Sequence, residues 1–455
     1  MSGSGPSRRF VSAADLGLLT DLYELTMLQA YRACDMQARA SFSLHFRQLP
    51  AHRRMMLACG QQHAAHLVTG LRFPGSAIDD LSRIGMFQDD FLRWLEDFRF
   101  TGDIVAVPEG TPVFPHEPLL EVTAPVAEAQ LLETLLMNVV HLETVLASKA
   151  LRLVLAARGR PLMDFGMRRM HGIDAAVHGV RAFRVAGIAQ TSNVLGGLAF
   201  GLPVGGTMAH SFIQAHGNER EAFKAYADLY PETTLLVDTF DTIEGVDKVI
   251  ALRRELGERF RVGAIRLDSG DLAALAGEAR RRLDSAGLED VKIVASGGLD
   301  EHAIARLVGG DAPIDAFGVG TSLGTSADSP SLDLVYKLTS YDGSPRVKDS
   351  PGKEIYPGEK QVYRFRDGSG RCTHDEVTLR DERRNADALL QPIVRAGEPL
   401  HVETLDPGVA AAWARRELGC LPAELRRLDD GDDGYDVRIS DAVVNLRRAA
   451  LAGRR

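Results

Sequence analysis

Apolar residues recur at helical spacing through residues 15–35, "DLGLLTDLYELTMLQAYRACD", and predict a helix with Thr20 as its cap. Residues 40–46 and 104–123 alternate apolar and polar positions as strands do, and "PEGTPVFPHEPLLEV" adds the proline and glycine of turns between them. A long apolar helical pattern then covers roughly 126–157. These elements predict a mixed α+β domain over residues 1–155.

From about residue 160 the rhythm changes. Short apolar runs end in polar or glycine residues: "PLMDFG", "GIAQTSN", "LPVGGTMAH", "TTLLVDTFD", "VGAIRLDSGD", "VKIVASGG" and "DAFGVGTS". Helical patterns separate most of them, as at 242–256 and 271–286. Alternating β and α units with apolar strands imply a parallel sheet, and about seven units fit a closed or nearly closed α/β barrel over residues 156–338. In such barrels the reacting groups gather at the carboxyl ends of the strands. Here those ends carry Asp164, Thr191, His210, Asp238, Asp268, Ser296 and Gly318. Residues 339–455 are polar and turn-rich at first, with "DGSPRVKDSPGKEIYPGEKQVYRF" reading as loops and hairpins and two strand-like stretches able to rejoin the first domain. One helix is expected at 407–418.

Composition narrows the class. With 455 residues, two or three domains are expected, and 45% hydrophobic with 25% charged residues is ordinary for a soluble globular protein. No apolar run is long enough to span a bilayer, so no membrane role is expected. The start "MSGSGPSRRF" has no apolar segment after its arginines and reads as a loose tail rather than a signal peptide. A net charge of −9 argues against a nucleic-acid partner while leaving room for a local basic pocket. Cys34, Cys59, Cys372 and Cys420 lack the paired spacing of a zinc or disulfide framework. A cytoplasmic protein is the natural expectation.

The strand ends suggest chemistry. "ASGGL" (295–299) and "FGVGTS" (317–322) place glycines where backbone N–H groups can approach an anion, and phosphate binding is the expectation for two such loops late in a barrel. A dinucleotide fingerprint competes, but "GVGTSLG" has the wrong final spacing. Asp238, Asp241, Asp268 and Asp271 can hold magnesium or sugar hydroxyls, while Asp241 and Asp271 can equally cap the helices that follow. In "DFGMRRMHG", Arg168 and Arg169 can clamp a carboxylate or phosphate, or one can be a solvated helix charge. His210 opens a helical pattern in "GGTMAHSFIQAHGNE" and is open to reading as a metal ligand, a general base, a nucleophile or a packed side chain. The residues thus suggest a site for a phosphorylated sugar and a small planar anion.

The segments "LLTDLYELTM", "DFGMRR", "QTSNVLGG", "GTMAHSF", "LVDTFDT", "RLDSGDL", "ASGGLDE", "DAFGVGTSLGT" and "PGEKQVYR" together resemble the nicotinate phosphoribosyltransferase family, across most of the chain up to about residue 375. The resemblance implies an irregular α/β barrel with an α+β domain built from the N-terminal part and a post-barrel segment. It implies transfer of phosphoribose from phosphoribosyl pyrophosphate to nicotinate, coupled to ATP and using magnesium, in a homodimer with shared active sites. Arg266 and Asp268 would contact the sugar; Ser296, Gly297, Gly298, Gly318, Gly320 and Thr321 would hold its phosphate. Phe165 would stack on the pyridine ring and Tyr23 of the neighbouring subunit would close the other face, unless Tyr23 belongs to a local core. Arg168 and Ser192 would serve the nicotinate carboxylate, and Thr191 would belong to the substrate site. The resemblance further implies transient phosphorylation of His210; Asp238 is the candidate to orient it, and Asp238 with Asp241 the candidate magnesium ligands. A nicotinamide or quinolinate phosphoribosyltransferase, or a catalytically silent phosphosugar-binding protein, remain the alternatives.

Overall fold

The computed structural model describes residues 12–348, 355–400, 405–429 and 434–453. The expected N-terminal tail and residues 349–354 of the expected loop region lie outside these. The chain divides into two compact units, one drawn from Met1–Thr144, Ser331–Leu425 and Asp432–Arg455, the other from Val145–Pro330 and Arg426–Gly431.

In the first unit a seven-stranded antiparallel sheet runs in the spatial order Ser344–Pro345, Leu334–Tyr341, Arg39–Phe46, Leu120–Pro125, Asp103–Ala106, Gln391–Arg395 and Glu398–Pro399. Strand Arg39–Phe46 shows why the sheet is central. Phe42, Leu44 and Phe46 alternate with Ser41, Ser43 and His45, and all six are buried. The apolar face packs Phe42 on Tyr336 at 4.8 Å between ring centroids, and the Tyr336 hydroxyl donates to the Ala129 carbonyl at 2.8 Å. On the polar face Ser41 donates to Glu359 at 2.9 Å, and Lys360 pairs with Glu121 at 2.9 Å. Burial, with the Lys360 charge nearby, pushes the His45 imidazole down to about 3, so it sits in the fold as the neutral ring. A four-stranded sheet holds Lys360–Arg366 and Cys372–Leu379, and Arg364, fully buried, forms a 2.6 Å ion pair with Asp375.

Two local expectations for this unit change. The helix expected over 15–35 is a 3-10 turn, Ala13–Leu18, followed by the α-helix Leu22–Ala33, whose N-cap position falls to Asp21. Thr20 lies one residue too early to cap it, and its hydroxyl donates instead to the Glu24 carboxylate. The pattern at 126–157 is interrupted: helices Val126–Leu131 and Glu133–Ala157 are separated at Leu132.

The second unit carries six short parallel strands: β1 (Leu162–Asp164), β2 (Gln190–Thr191), β3 (Thr234–Leu236), β4 (Ala264–Leu267), β5 (Lys292–Ala295) and β6 (Ala316–Val319). Their spatial order is β2-β1-β6-β5-β4-β3, so the last strand pairs with the first. Leu235, Leu236, Ile265, Leu267, Ile293, Phe317 and Val319 are all buried, as expected for parallel strands covered on both faces. Between β2 and β3 the run "LPVGGTMAH" makes a single bridge, Thr191 to Val204, rather than the seventh strand its pattern predicts. Consecutive Gly205 and Gly206 explain this, because glycine weakens an extended segment and offers no side chain to pack. The same stretch still reaches β3 through the Thr207 hydroxyl, which donates to the Thr234 carbonyl.

The connections after β2, β3, β4 and β5 each end in a side-chain cap, whereas those after β1 and β6 reach their helices through Gly172 and Gly320. Asn193 accepts from Gly196 N–H at 3.0 Å, Asp241 from Glu244 at 2.8 Å, Asp271 from Ala274 at 3.2 Å and Asp300 from Ala303 at 2.7 Å. On helix Thr242–Leu256 the residues Val246, Val249, Leu252 and Leu256 form the buried stripe. These caps and stripes hold the carboxyl ends of the strands open on one side.

Candidate active site

A cavity of about 750 Å³ opens at those strand ends. Phe165 and Arg168 after β1, Ser192 after β2, His210, Arg266 and Asp268 at β4, Ser296, Gly297 and Gly298 after β5, and Gly318, Gly320 and Thr321 at β6 all line it. Most of the residues singled out from the sequence therefore meet in one place.

The floor depends on two glycines. At Gly318 a β-carbon would stand 2.3 Å from Cε2 of Phe165, so only glycine lets that ring lie over β6. Gly297 has φ +86°, and a β-carbon there would come within 1.7 Å of the Asp268 carbonyl oxygen. The loop after β5 is thus pressed onto the end of β4. Beside it the Arg266 guanidinium lies 5.6 Å from the Phe165 ring centroid and 3.4 Å from Asp268 Oδ1. The Ser296 hydroxyl also donates to Asp268 Oδ1, and Asp268 Oδ2 lies 3.9 Å from His210 Nε2.

Three polar atoms at these strand ends are buried and make no hydrogen bond among the described residues: Arg266 Nε, Ser322 Oγ and Asp238 Oδ1. Arg266 and Ser322 line the cavity, so a donor and a hydroxyl are available to a bound anion. Arg168, Arg169 and Arg266 face only Asp268 and Asp300 among the lining acids, so the pocket is cationic in a chain whose net charge is −9.

His210 begins the helix His210–His216, and its imidazole is 41% exposed. Nδ1 lies 3.1 Å from the Thr239 hydroxyl. Asp238, expected to orient the ring, is therefore not its Nδ1 partner; Thr239 is, with Asp268 on the Nε2 side. Asp238 is already engaged, since its Oδ2 accepts from Asp268 N–H at 2.9 Å and from the Ser269 hydroxyl at 2.8 Å. Of these two neighbours in the segment after β3, Thr239 contacts the histidine while the Oδ2 of Asp238 is taken up by residues 268 and 269. Asp241, expected as a second metal ligand, serves as the cap of helix Thr242–Leu256.

Thr191 is fully buried beneath the site rather than in it. Its hydroxyl donates to Asp164 Oδ2 at 2.6 Å, while Asp164 Oδ1 accepts from Gly166 N–H at 2.7 Å, which fixes the turn that presents Phe165. Burial raises the Asp164 carboxyl above its usual range, and these two hydrogen bonds oppose that rise. Tyr23 stands on helix Leu22–Ala33 of the other unit, 45% exposed. Sequence reasoning missed Thr239, Thr207 and Ser322. Ser322 could have been found, because it follows Thr321 in the first turn of the helix after β6.

Fold and site together define a mixed α/β protein with a cationic, glycine-floored cleft at the carboxyl ends of parallel strands. The chain belongs to the nicotinate phosphoribosyltransferase family. Residues 18–141 match the nicotinate phosphoribosyltransferase (NAPRTase) N-terminal domain, and residues 161–367 match the nicotinate phosphoribosyltransferase (NAPRTase) family. It is 51% identical over 441 residues to nicotinate phosphoribosyltransferase pncB2 of Mycobacterium tuberculosis, covering 96% of this chain and 95% of that one. With nicotinate phosphoribosyltransferase of Bacillus subtilis the identity is 39%, covering 85% and 80%. The crystal structure of human nicotinic acid phosphoribosyltransferase superposes with a TM-score of 0.84 at 28% identity, covering 95% of this chain and all of the other.

Proposed function

We propose that this protein transfers phosphoribose from phosphoribosyl pyrophosphate to nicotinate, forming nicotinate mononucleotide and pyrophosphate, the first step of NAD salvage from nicotinate. The observation that carries this reading is the convergence of Phe165, Arg266, Asp268 and both glycine loops on one cavity. The pyridine nitrogen of nicotinate has a free lone pair, so its attack on the anomeric carbon needs no general base. The C–N bond forms as the C–O bond to pyrophosphate breaks, and pyrophosphate leaves with that electron pair. Asp268 stabilises the oxocarbenium character of the sugar, and Arg266 offers its free Nε–H to a phosphate oxygen. The backbone of Gly297, Gly298, Gly318 and Gly320, with Ser296, Thr321 and Ser322, receives the 5′-phosphate. Phe165 stacks on the pyridine ring, and Arg168 with Ser192 binds its carboxylate.

In the same reading the six strands and the Val204 stretch make an irregular barrel, and ATP phosphorylates His210. With Nδ1 held by Thr239, Nε2 attacks the γ-phosphorus; the N–P bond forms as the bond to ADP breaks, and water later releases phosphate. Magnesium fits the donors only in part. Asp238 Oδ1 is an unused buried acceptor, but no trio of His, Cys, Asp or Glu ligand atoms gathers at this cavity among the described residues. Asp238 would therefore hold the ion singly, substrate phosphates and water completing its shell, and the ion would neutralise phosphate charge. The protein is proposed to act in the cytoplasm as a homodimer, with Tyr23 from a second copy closing the pocket.

The test is product formation from nicotinate, phosphoribosyl pyrophosphate, magnesium and ATP, with nicotinamide and quinolinate in parallel arms. Nicotinate mononucleotide as the dominant product is expected. Turnover of either alternative substrate in preference, or no mononucleotide at all, would overturn the proposal.

A further inference from the structure

Behind the cavity, in the same unit, lies an ion cluster that the proposed chemistry does not use. Lys149, on helix Glu133–Ala157, is 2% exposed in its side chain and contacts two carboxylates. Its Nζ lies 2.5 Å from Glu301 Oε2 and 2.9 Å from Asp328 Oδ1. Arg152, one helical turn on, places Nε 2.8 Å from Glu301 Oε1. Burial alone would push the Glu301 carboxyl up, but the Lys149 charge and the hydrogen bonds from Lys149 and Arg152 hold it below the usual carboxylate range. Glu301 is therefore held as the carboxylate that Lys149 and Arg152 contact.

The positions of the two acids matter. Glu301 is the first residue of helix Glu301–Gly309 and directly follows the loop Ser296–Asp300. Asp328 follows Ala327, which ends the cavity-lining stretch begun at Gly318. One buried ammonium thus ties the helix start just after the first glycine loop to the turn that follows Thr321–Gly324, the short helix after the second. A phosphate held by backbone N–H groups from two separate loops is bound well only when those loops keep a fixed separation. Buried charges of this kind add little net stability, because desolvation offsets their attraction, so their geometry is the more informative feature.

We propose that Lys149 is a positioning residue that sets the spacing of the two glycine loops and thereby the affinity for the sugar phosphate. This rests on the reading of those loops as the 5′-phosphate site. Lys149→Met keeps the length of the stem and removes the charge, while Asp328→Asn weakens the same tie from the more exposed side. Each variant is to be measured for KM of phosphoribosyl pyrophosphate, KM of nicotinate, and binding of ribose 5-phosphate by calorimetry. The expected result is a rise of about tenfold in KM for phosphoribosyl pyrophosphate and in Kd for ribose 5-phosphate, with nicotinate KM changed less than about twofold. Lys149→Arg should recover most of the loss. Unchanged constants in a folded variant, or equal losses for both substrates, would overturn the proposal; if Lys149→Met does not fold, Asp328→Asn carries the same test. Wild-type protein that binds ribose 5-phosphate but forms no mononucleotide would refute the proposed reaction, and calorimetry would still read the role of Lys149.

Discussion

The imidazole Nδ1 of His210 lies 3.1 Å from the Thr239 hydroxyl, across 29 residues of sequence. The other ring nitrogen, Nε2, lies 3.9 Å from Asp268 Oδ2, and His210 lines the cavity. If ATP phosphorylates His210 as proposed, a ring held in this way presents one defined nitrogen to it. His210→Ala should abolish ATP hydrolysis and ATP stimulation while leaving slow, ATP-independent synthesis. Mass spectrometry should find acid-labile phosphate on the wild type only. Thr239→Val removes one hydrogen bond, about 1 kcal/mol, and should slow phosphorylation about fivefold, whereas Thr239→Ser should not. Full ATP stimulation in the His210→Ala variant would remove the histidine from the mechanism.

If Ser192 and Arg168, both on the cavity wall, bind the nicotinate carboxylate as proposed, they select the acid over the amide. An aspartate at 192 would repel a carboxylate that serine can hydrogen-bond. Ser192→Asp should lower kcat/KM for nicotinate by roughly 1–3 kcal/mol in transition-state stabilisation. Steady-state kinetics with nicotinate unchanged would exclude this residue from specificity.

Gly297 and Gly298 separate two effects of a β-carbon. Both have positive φ, +86° and +63°, but only at Gly297 would the added carbon collide with the Asp268 carbonyl. Gly298→Ala should cost backbone strain alone, on the order of 1 kcal/mol. Gly297→Ala should in addition push the loop off β4 and raise KM for phosphoribosyl pyrophosphate by roughly tenfold or more. Equal kinetics for the two variants would contradict the close approach.

His45 makes a prediction about pH. Its folded pKa, about 3, lies below the ordinary value of 6.5. The neutral ring is the form the fold accepts, so this contribution is fully present above pH 6.5 and declines as pH falls through that value toward 3. The loss is about 2 kcal/mol between pH 7 and pH 5. Urea unfolding of wild type and His45→Gln across this range should show a shallower acid decline in the variant. Parallel curves would mean that the ring takes up its proton without disturbing the fold.

If Tyr23 from a second copy closes the pocket, Tyr23→Ala and Asp268→Ala homodimers should both be poor enzymes. Mixing them under subunit exchange should restore activity to the site that carries both native residues. Verified mixed dimers without recovery would argue for a site made by one chain.

Much of the fold was legible because its signals are local. Asp241 and Asp271 were readable as caps, since a cap bonds an N–H only three residues on. The short apolar runs announced a parallel sheet, and "ASGGL" and "FGVGTS" announced glycines at strand ends, which line the cavity. The site was legible to the same depth: His210, Arg266, Asp268, Phe165 and the glycines share one cavity. The break at Leu132 and the capping position at Asp21 rather than Thr20 escaped, because apolar spacing marks a helix better than its ends.

The sequence by itself determined which residue types stand at the strand ends, where the helices Thr242–Leu256, Leu272–Ser285 and Pro407–Cys420 begin, and that glycine occupies the crowded positions. The tertiary structure alone decided the partners of those strand-end residues. Asp238 and Thr239 are neighbours in sequence, yet one binds Asp268 N–H and the other His210. Thr191 ends a strand like Asp268, yet its hydroxyl turns inward to Asp164. Lys149 carries no sequence signal of its link to two loops that begin far along the chain. The physical reason is range. A cap or turn is settled by atoms a few residues apart, whereas these contacts depend on the register and packing of strands and helices distant in sequence.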